Sequence, residues 1–395
     1  MICKAFIFFV LLTGSLANIS CHSNSNPNSS TESPEPSKSP DIKSRQTFTI
    51  YFLGTGIHSE TYKDKHYWDG ETVSLIAGTM QKGEDHLDYI VVDGPGSGNL
   101  LNHKRFVHYN HTPHNSSGTA LGIGVKENID NVIAVMKLQN KNPALVEFVK
   151  DLKEKLEKRK HKNISKINIV GFSRGAVTAI AFANKIALDA QFKDVPVNIF
   201  AIDPVSGPAW YKDIFLLENN VEKFVGLYAQ HEFSSQFEAI IPVASEKNLK
   251  THISYLLFPG KHGSMVGDDY STEASDPSAL RSTGKIIKHL ACEFLLDNGT
   301  QLKNAYQLSK ASLLEEYALL VANFKKYEEI GQNITYTTNS SASYYNYKRT
   351  VYKGSKEPIL YWSYYVHYRS LLLTQAIPSE PGFINSHHKK LSSKR

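Results

Sequence analysis

Cysteine is scarce in this chain, and the scarcity excludes a fold held together by disulfides. Only Cys3, Cys21 and Cys292 occur in 395 residues. Cys3 lies in the apolar start of the chain and Cys21 in a polar stretch, so no disulfide framework can form. Cys292 lies in the apolar run 290–295, where a plain core position is expected.

The chain also has only a small excess of positive over negative charge. The formal net charge is +6 at pH 7, and part of that excess lies in the last residues, 387–395. A nucleic-acid-binding domain usually carries a much denser basic face, so nucleic acid is not an expected partner. Weak attraction to an anionic membrane surface remains compatible with this balance.

No uninterrupted apolar run is long enough to span a bilayer. The apolar run 5–12 follows Lys4 and is too short for a membrane-spanning helix, which is typical of a signal peptide, here residues 1–21. Ser-Leu-Ala at 15–17 suits an ordinary signal peptidase. Ile-Ser-Cys ending at Cys21 resembles instead a lipobox, whose cysteine is lipidated. We therefore expect an exported protein, either secreted or lipid-anchored at Cys21.

The rest of the chain divides by composition. Residues 22–46 are rich in Ser, Asn and Pro and nearly lack apolar side chains, which predicts a disordered linker. The folded domain is expected at 47–300 and a C-terminal extension at 301–395. In the extension, a helical pattern runs over 308–330, followed by Tyr-rich segments. These segments predict either an ordinary packed extension or an amphipathic cap over a site or membrane interface.

Short apolar runs alternate with helical patterns through the domain. Continuous apolar strands that end in glycine or proline turns are usually covered on both faces. The pattern therefore predicts an α/β fold, with a mostly parallel central sheet flanked by helices and active residues at the carboxyl ends of the strands. The predicted strands are 48–53, 89–92, 167–170, 197–202, 224–229 and 253–258, and the predicted helices are 129–136, 145–156 and 176–187.

One pentapeptide carries the strongest chemical signal. Gly-Phe-Ser-Arg-Gly at 171–175 matches the nucleophile elbow G-x-S-x-G, with an apolar strand before it and a helix of small residues after it. In this turn the glycines allow strand and helix to approach closely, and the serine hydroxyl is presented above the sheet. Ser173 is the predicted nucleophile.

A serine hydroxyl needs a base, and a histidine is the usual one. His262 follows the last predicted strand, in Phe-Pro-Gly-Lys-His at 258–262, where the glycine is expected to leave the imidazole exposed. A second group of histidines has no metal-ligand spacing and no cofactor motif accompanies it, so we expect neither a metal nor a cofactor. These histidines are His103, His108, His111 and His114.

Two carboxylates compete for the role of triad acid. Asp203 ends the strand after the elbow and is followed by a strand-ending proline, and it is the preferred choice. Glu232 follows the next strand and is the alternative. The oxyanion hole needs two backbone donors. We expect one to be the N–H of Arg174 and the other to come from the Gly loop at 54–56, from Thr55 or Gly56. Neither this Gly loop nor the one at 93–98 has the P-loop pattern.

These motifs resemble a known family. Gly-Phe-Ser-Arg-Gly-Ala at 171–176 and Phe-Pro-Gly-Lys-His at 258–262 resemble the α/β-hydrolase domain shared with type VI secretion phospholipase effectors. Gly-Ile-Gly-Val at 122–125 with Asn128, and Val266, Gly267 and Tyr270, look like further motifs of that family. Leu-Gly-Thr at 53–55 departs from the family's usual Asp-Gly-Thr. The resemblance covers roughly 48–270, implies an α/β-hydrolase fold, and gives Ser173 the nucleophile role and His262 the base role.

Together these features predict an exported serine hydrolase that cleaves carboxylic esters, with lipid or phospholipid esters implied as substrates by the resemblance. Two alternatives stay open. One is a non-catalytic surface protein on a hydrolase scaffold, and the other is a serine peptidase of the same fold.

Overall fold

The computed structural model describes residues 45–97, 125–137, 163–206, 214–232, 237–246, 248, 250–268, 277–332, 349–355 and 358–361. The chain divides into two units, 1–42 and 43–395, and every described residue belongs to the second. The predicted signal peptide, Cys21, most of the predicted linker, the predicted helix 145–156 and the Tyr-rich segment 344–347 lie outside these residues.

The strands in the described residues are, in chain order, β1 Arg45–Phe52, β2 Tyr89–Val92, β3 Asn163–Phe172, β4 Val197–Ile202, β5 Leu216–Leu217, β6 Val221–Ala229, β7 Ala239–Ile241, β8 Val243–Ala244, β9 His252–Phe258, β10 Thr350–Lys353 and β11 Pro358–Tyr361. The helices are α1 Thr72–Leu75, which continues as a π-helical turn Ile76–Met80, then α2 Val125–Lys137, α3 Arg174–Ala187, α4 Ser282–Asp297, α5 Lys310–Ala322 and α6 Phe324–Gln332.

Six of these strands form one sheet in the order β2-β1-β3-β4-β6-β9, and every neighbouring pair is parallel. The prediction of an α/β fold with a mostly parallel sheet flanked by helices is confirmed. In the register, Phe172 pairs with Ile202, and Ile202 pairs with Leu227. The carboxyl ends of β3, β4 and β6 therefore lie side by side.

Burial on both faces explains the continuous apolar strands. In β1, the side chains of Phe48, Ile50 and Phe52 join a core with α2 and α3. Tyr51 of the same strand, and Leu53 directly after it, join a second core with α1, α4, α5 and α6. Alternate side chains of a strand point to opposite faces, so a sheet with helices on both sides needs apolar residues at every position. Cys292 lies in the second core as a buried free thiol.

A second, three-stranded sheet joins the C-terminal residues to the domain. In the order β11-β10-β7, β10 pairs parallel with β7, and the start of β7 lies against the residues after β4 through the bridge between Val205 and Ala239. The N–H of Ile240 also donates to the carbonyl oxygen of Pro204 at 2.9 Å. The C-terminal residues described here therefore include strands as well as the predicted helix.

The single helix predicted over 308–330 is two helices, α5 and α6, separated at Asn323. The side-chain amide of Asn323 donates to the carbonyl oxygen of Leu319 at 3.0 Å, and the main-chain N–H donates to the same oxygen at 2.9 Å. An Asn side chain that binds the preceding turn competes with helix continuation. In the residues searched, no helix has the length and apolar character to cross a membrane.

Candidate active site

Ser173 forms the sharp turn between β3 and α3. Its φ of 56° and ψ of −125° lie in a region that residues other than glycine rarely adopt. Because β3 ends at Phe172 and α3 begins at Arg174, this one residue makes the whole turn. Such backbone strain costs about 1–3 kcal/mol and is typical of functional sites.

The two glycines of the turn are required by close packing. A Cβ at Gly175 would lie 2.2 Å from the carbonyl oxygen of Phe52, and a Cβ at Gly171 would lie 2.7 Å from the carbonyl oxygen of Gly175. Contacts this short do not occur, so any larger residue would push α3 away from the sheet. The glycines thus allow the helix to begin directly against β1 and β3.

Main-chain hydrogen bonds join Ser173 to the end of β4. The N–H of Ser173 donates to the carbonyl oxygen of Ile202 at 2.9 Å, and the N–H of Val205 donates to the carbonyl oxygen of Ser173 at 3.3 Å. Asp203 lies between these two partners and also has a positive φ, 39°. The turn that carries Ser173 and the turn that carries Asp203 are therefore fixed to each other.

The imidazole of His262 contacts the carboxylate of Asp203. The distance from Nδ1 of His262 to Oδ2 of Asp203 is 2.7 Å. The imidazole also contacts the rings of Phe172 and Phe237, whose centroids are 4.5 and 4.6 Å away. We expected an exposed imidazole, but His262 is buried, because these two rings cover it.

Asp203 is fully buried, and all its hydrogen-bond donors favour the ionised carboxylate. Its Oδ1 accepts from the N–H of Ala229 at 3.0 Å, and its Oδ2 accepts from Nη2 of Arg349 at 2.8 Å. Burial raises the pKa of Asp203, but the charge of Arg349 and the hydrogen bond with His262 outweigh it, so the pKa lies below its ordinary value. The carboxyl group is therefore ionised at neutral pH.

Glu232, the alternative acid, has a different contact with His262. Its Oε2 accepts from the main-chain N–H of His262 at 3.1 Å, whereas Asp203 contacts the ring. Glu232 follows β6 and reaches the loop after the neighbouring strand β9. It therefore fixes the position of the loop that carries the histidine.

The loop before His262 is held by His231. The N–H of Gly260 donates to Nδ1 of His231, and the N–H of His231 donates to the carbonyl oxygen of Gly260, both at 3.0 Å. Gly260 has a φ of 115°, which requires glycine. Burial lowers the pKa of His231 to about 3, so its ring stays neutral and can accept this hydrogen bond.

The two Gly loops at the ends of β1 and β2 lie against each other. A Cβ at Gly94 would lie 1.6 Å from the carbonyl oxygen of Gly54, and the N–H of Gly56 donates to the carbonyl oxygen of Pro95 at 2.9 Å. Of the two predicted oxyanion donors in this loop, Gly56 is thus already engaged. The N–H of Thr55 has no backbone acceptor among the residues that the structure describes.

Arg174, the other predicted oxyanion donor, is the first residue of α3. The first N–H groups of a helix have no acceptor within the helix, which suits them to bind an anion. The side chain of Arg174 is buried, and its Nε donates to the carbonyl oxygen of Ser206 at 3.2 Å. The guanidinium is thereby linked to the segment that follows Asp203.

Asn128, one of the residues of the family-like motifs, positions the Gly loop after β2. The side-chain amide of Asn128 on α2 donates to the carbonyl oxygen of Asp93 at 3.2 Å, and the N–H of Ser59 donates to Oδ1 of Asp93 at 2.8 Å. Val125 is buried in the core, and Gly267 adopts a φ of 97°. Residues 122–124 and Tyr270 lie outside the described residues.

Sequence reasoning missed Arg349 and Phe237. Arg349 is only 2% exposed and lies 146 positions from Asp203 in the chain. It follows a Tyr-rich region, where an Arg in the sequence is expected to be a surface residue. Phe237 covers one face of His262. No local motif surrounds either residue, so no sequence signal identifies them.

In the part of the chain that the structure describes, no three His, Cys, Asp or Glu side chains cluster as metal ligands. The predicted solvated histidines His103, His108, His111 and His114 lie outside the described part of the chain.

Comparisons with known proteins find solved structures with a distant likeness to this chain. No protein-family model matches the chain, and no curated protein sequence matches it. Among solved structures, an uncharacterized protein from Pseudomonas aeruginosa has 17% identity and a TM-score of 0.44, and the alignment covers 72% of this chain and 51% of that one. The Tle1 effector bound to the VgrG spike of the Type 6 secretion system has 16% identity and a TM-score of 0.32, over 57% of this chain and 51% of that one. This chain spans about half the length of each, and neither likeness bears on its function.

Proposed function

We propose that this chain is a serine hydrolase of the α/β-hydrolase fold that cleaves carboxylic esters through an acyl-enzyme. One observation carries the proposal. The imidazole of His262 is hydrogen-bonded to the buried carboxylate of Asp203 at 2.7 Å. Main-chain hydrogen bonds in turn join the turn that carries Asp203 to the strained turn of Ser173. A serine hydroxyl, a carboxylate and an imidazole, in this order along the chain, are the parts of the triad of an α/β-hydrolase.

In the first step, Oγ of Ser173 attacks the carbonyl carbon of the ester. Nε2 of His262 takes the hydroxyl proton as the new C–O bond forms, while Nδ1 stays bound to Asp203. The ionised carboxylate stabilises the resulting imidazolium and holds the ring in the tautomer that leaves Nε2 unprotonated beforehand. The lowered pKa of Asp203 keeps that carboxylate charged at neutral pH.

The tetrahedral intermediate then collapses. The bond to the leaving alkoxide oxygen breaks, and His262 returns its proton to that oxygen, so an alcohol departs and Ser173 carries the acyl group. Water attacks the acyl carbon with His262 again as base, and the carboxylic acid leaves as Ser173 regains its proton. We assign the oxyanion to the N–H groups of Arg174 and Thr55.

The proposed substrates are lipid or phospholipid esters. The aromatic rings of Phe172 and Phe237 contact the imidazole of His262 and give the proposed reacting centre an apolar side, which suits an acyl chain. The motif resemblance described above supports the same substrate class. A membrane surface is accordingly the proposed place of action.

We further propose that the protein is exported through the signal peptide at 1–21 and is either secreted or lipid-anchored at Cys21. Mass spectrometry of the mature N-terminus tests this proposal. A start at Asn18 would indicate ordinary cleavage, and an acylated Cys21 at the N-terminus would indicate a lipoprotein. An unprocessed Met1 in the cell envelope fraction would contradict both.

A fluorophosphonate probe tests the enzymatic proposal directly, because it reacts covalently with an activated serine and leaves ordinary serines unlabelled. We expect the wild-type protein to be labelled on Ser173 and to hydrolyse a short-chain ester, and the Ser173→Ala variant to lose both properties while it keeps its fold. Ser312→Ala, on α5, is the matched control and should be labelled like the wild type. Absent labelling of folded wild-type protein would support the non-catalytic scaffold, and cleavage of peptides in preference to esters would support the peptidase.

A further inference from the structure

Arg349 makes a buried fork of hydrogen bonds at the candidate site. Its Nη2 donates to Oδ2 of Asp203 at 2.8 Å, its Nη1 to the carbonyl oxygen of Ala229 at 3.1 Å, and its Nε to the carbonyl oxygen of Phe237 at 2.5 Å. The N–H of Ala229 donates in turn to Oδ1 of Asp203. One guanidinium thus links the carboxylate, the end of β6 and the residue that covers His262.

The position of Arg349 is set by the second sheet. Arg349 directly precedes β10, whose Val351 pairs with Ala239 of β7. The β7 strand is attached to the segment after Asp203 by the hydrogen bond from Ile240 to Pro204, and the hydroxyl of Tyr228 donates to the carbonyl oxygen of Ile240 at 3.0 Å. The side chain therefore enters the site from a strand that is itself fixed to the site.

We infer that Arg349 is a positioning residue of this site, which holds the Asp203 carboxylate and the Phe237 main chain so that His262 keeps its working orientation. The inference rests on the proposed function. The inference gives the C-terminal residues around β10 a role in the reaction, because Asp203 has its Arg349 partner only when these residues are packed against the domain. Arg suits this place because its planar group can bind three oxygens at once, whereas Lys is a point charge.

The charge of Arg349 also affects the pH dependence. Other ionisable groups on the elements packed against the Asp203–His262 pair are, in the described residues, Arg174, His231, Glu232, Glu238 and Lys261. Burial raises the pKa of Glu238, and burial keeps His231 neutral. Without the Arg349 cation, the negative charge of Asp203 is less compensated, so protonation of the Asp203–His262 pair becomes more favourable. The proton that inactivates the pair is therefore bound at a higher pH.

The test compares the pH dependence of Ser173 labelling by a fluorophosphonate, and of ester turnover, in wild type, Arg349→Met, Arg349→Lys and Arg349→Ala. In Arg349→Met, we expect kcat to fall about 10²-fold with little change in KM. The acidic limb should move measurably to higher pH, because the cation no longer opposes protonation of the pair. Arg349→Lys should keep the acidic limb near its wild-type place but lose part of kcat. Arg281→Met, which removes an Arg that lies over Trp68, is the control and should keep wild-type kinetics.

Chemical rescue separates positioning from a merely structural role. Guanidinium ion, added below denaturing concentration, should restore activity to Arg349→Ala, while urea, which is planar but neutral, should not. Wild-type kcat and acidic limb in a folded Arg349→Met or Arg349→Lys variant would overturn the inference, as would equal rescue by urea. If wild-type protein itself is not labelled, the proposed function fails instead, so the two failures are distinguishable.

Discussion

The imidazole of His262 stacks on the ring of Phe172, with centroids 4.5 Å apart and an angle of 26° between the planes. Phe172 is the last residue of β3 and directly precedes Ser173. The stack therefore ties the loop after the edge strand β9 to the residue next to the proposed nucleophile. Since Asp203 binds the same imidazole, three strand ends converge on one ring.

Replacement of Ser173 by glycine should relieve backbone strain. Both Ser173→Gly and Ser173→Ala should lose ester hydrolysis, because no attacking hydroxyl remains. Glycine tolerates a φ of 56°, so the free energy of unfolding of Ser173→Gly should exceed that of Ser173→Ala by about 1 kcal/mol. Urea unfolding of the two variants measures the difference, and equal stability would argue against strain at this turn.

Ser173 and His262 should act as one unit. Each single alanine variant is expected to lose nearly all turnover, and the double variant should lose no more, because either loss already prevents the proton transfer. Steady-state kinetics of the four proteins completes the cycle, with His252→Ala, an exposed histidine at the start of β9, as the control. If the two losses instead multiply in the double variant, His262 is not the base.

The two carboxylates should differ in their effect on turnover. Asp203→Asn should lower kcat by about 10⁴-fold, because the amide favours the wrong tautomer of His262. Glu232→Gln should cost about tenfold or less, because the amide oxygen can still accept from the main-chain N–H of His262. Turnover and thermal unfolding of both variants give the comparison. A larger loss in Glu232→Gln than in Asp203→Asn would reverse the assignment of the acid.

Gly175→Ala should destabilise the fold, because the new methyl group would lie 2.2 Å from the carbonyl oxygen of Phe52. Overpacking of this kind costs about 1–3 kcal/mol or more. Gly56→Ala is the matched control. Its φ of 73° is also unfavourable, but no heavy atom lies within 4 Å of the added Cβ. Chemical denaturation should show a clearly larger loss in Gly175→Ala, and similar losses would mean that α3 can shift away from β1.

Much of the fold was predictable because its signals are local. The six strands of the main sheet were expected from apolar runs such as 197–202, which matches β4 Val197–Ile202. Such runs report burial on both faces, and this burial depends on few details of topology. The break between α5 and α6 was not predicted, because a single Asn side chain decides it.

The candidate site, like the fold, has one part that local sequence patterns predict and another part that they do not. Local patterns predict the strand-to-helix turn at Ser173, since its glycines and flanking elements are contiguous, and they place two carboxylates and His262 at strand ends. Tertiary structure alone decided that Asp203 contacts the imidazole and Glu232 the main chain of His262, because both carboxylates follow strands and only strand order and register separate them. It also decided that Arg349 faces Asp203 and that two aromatic rings bury His262, since these contacts join segments whose separation in the chain carries no local pattern.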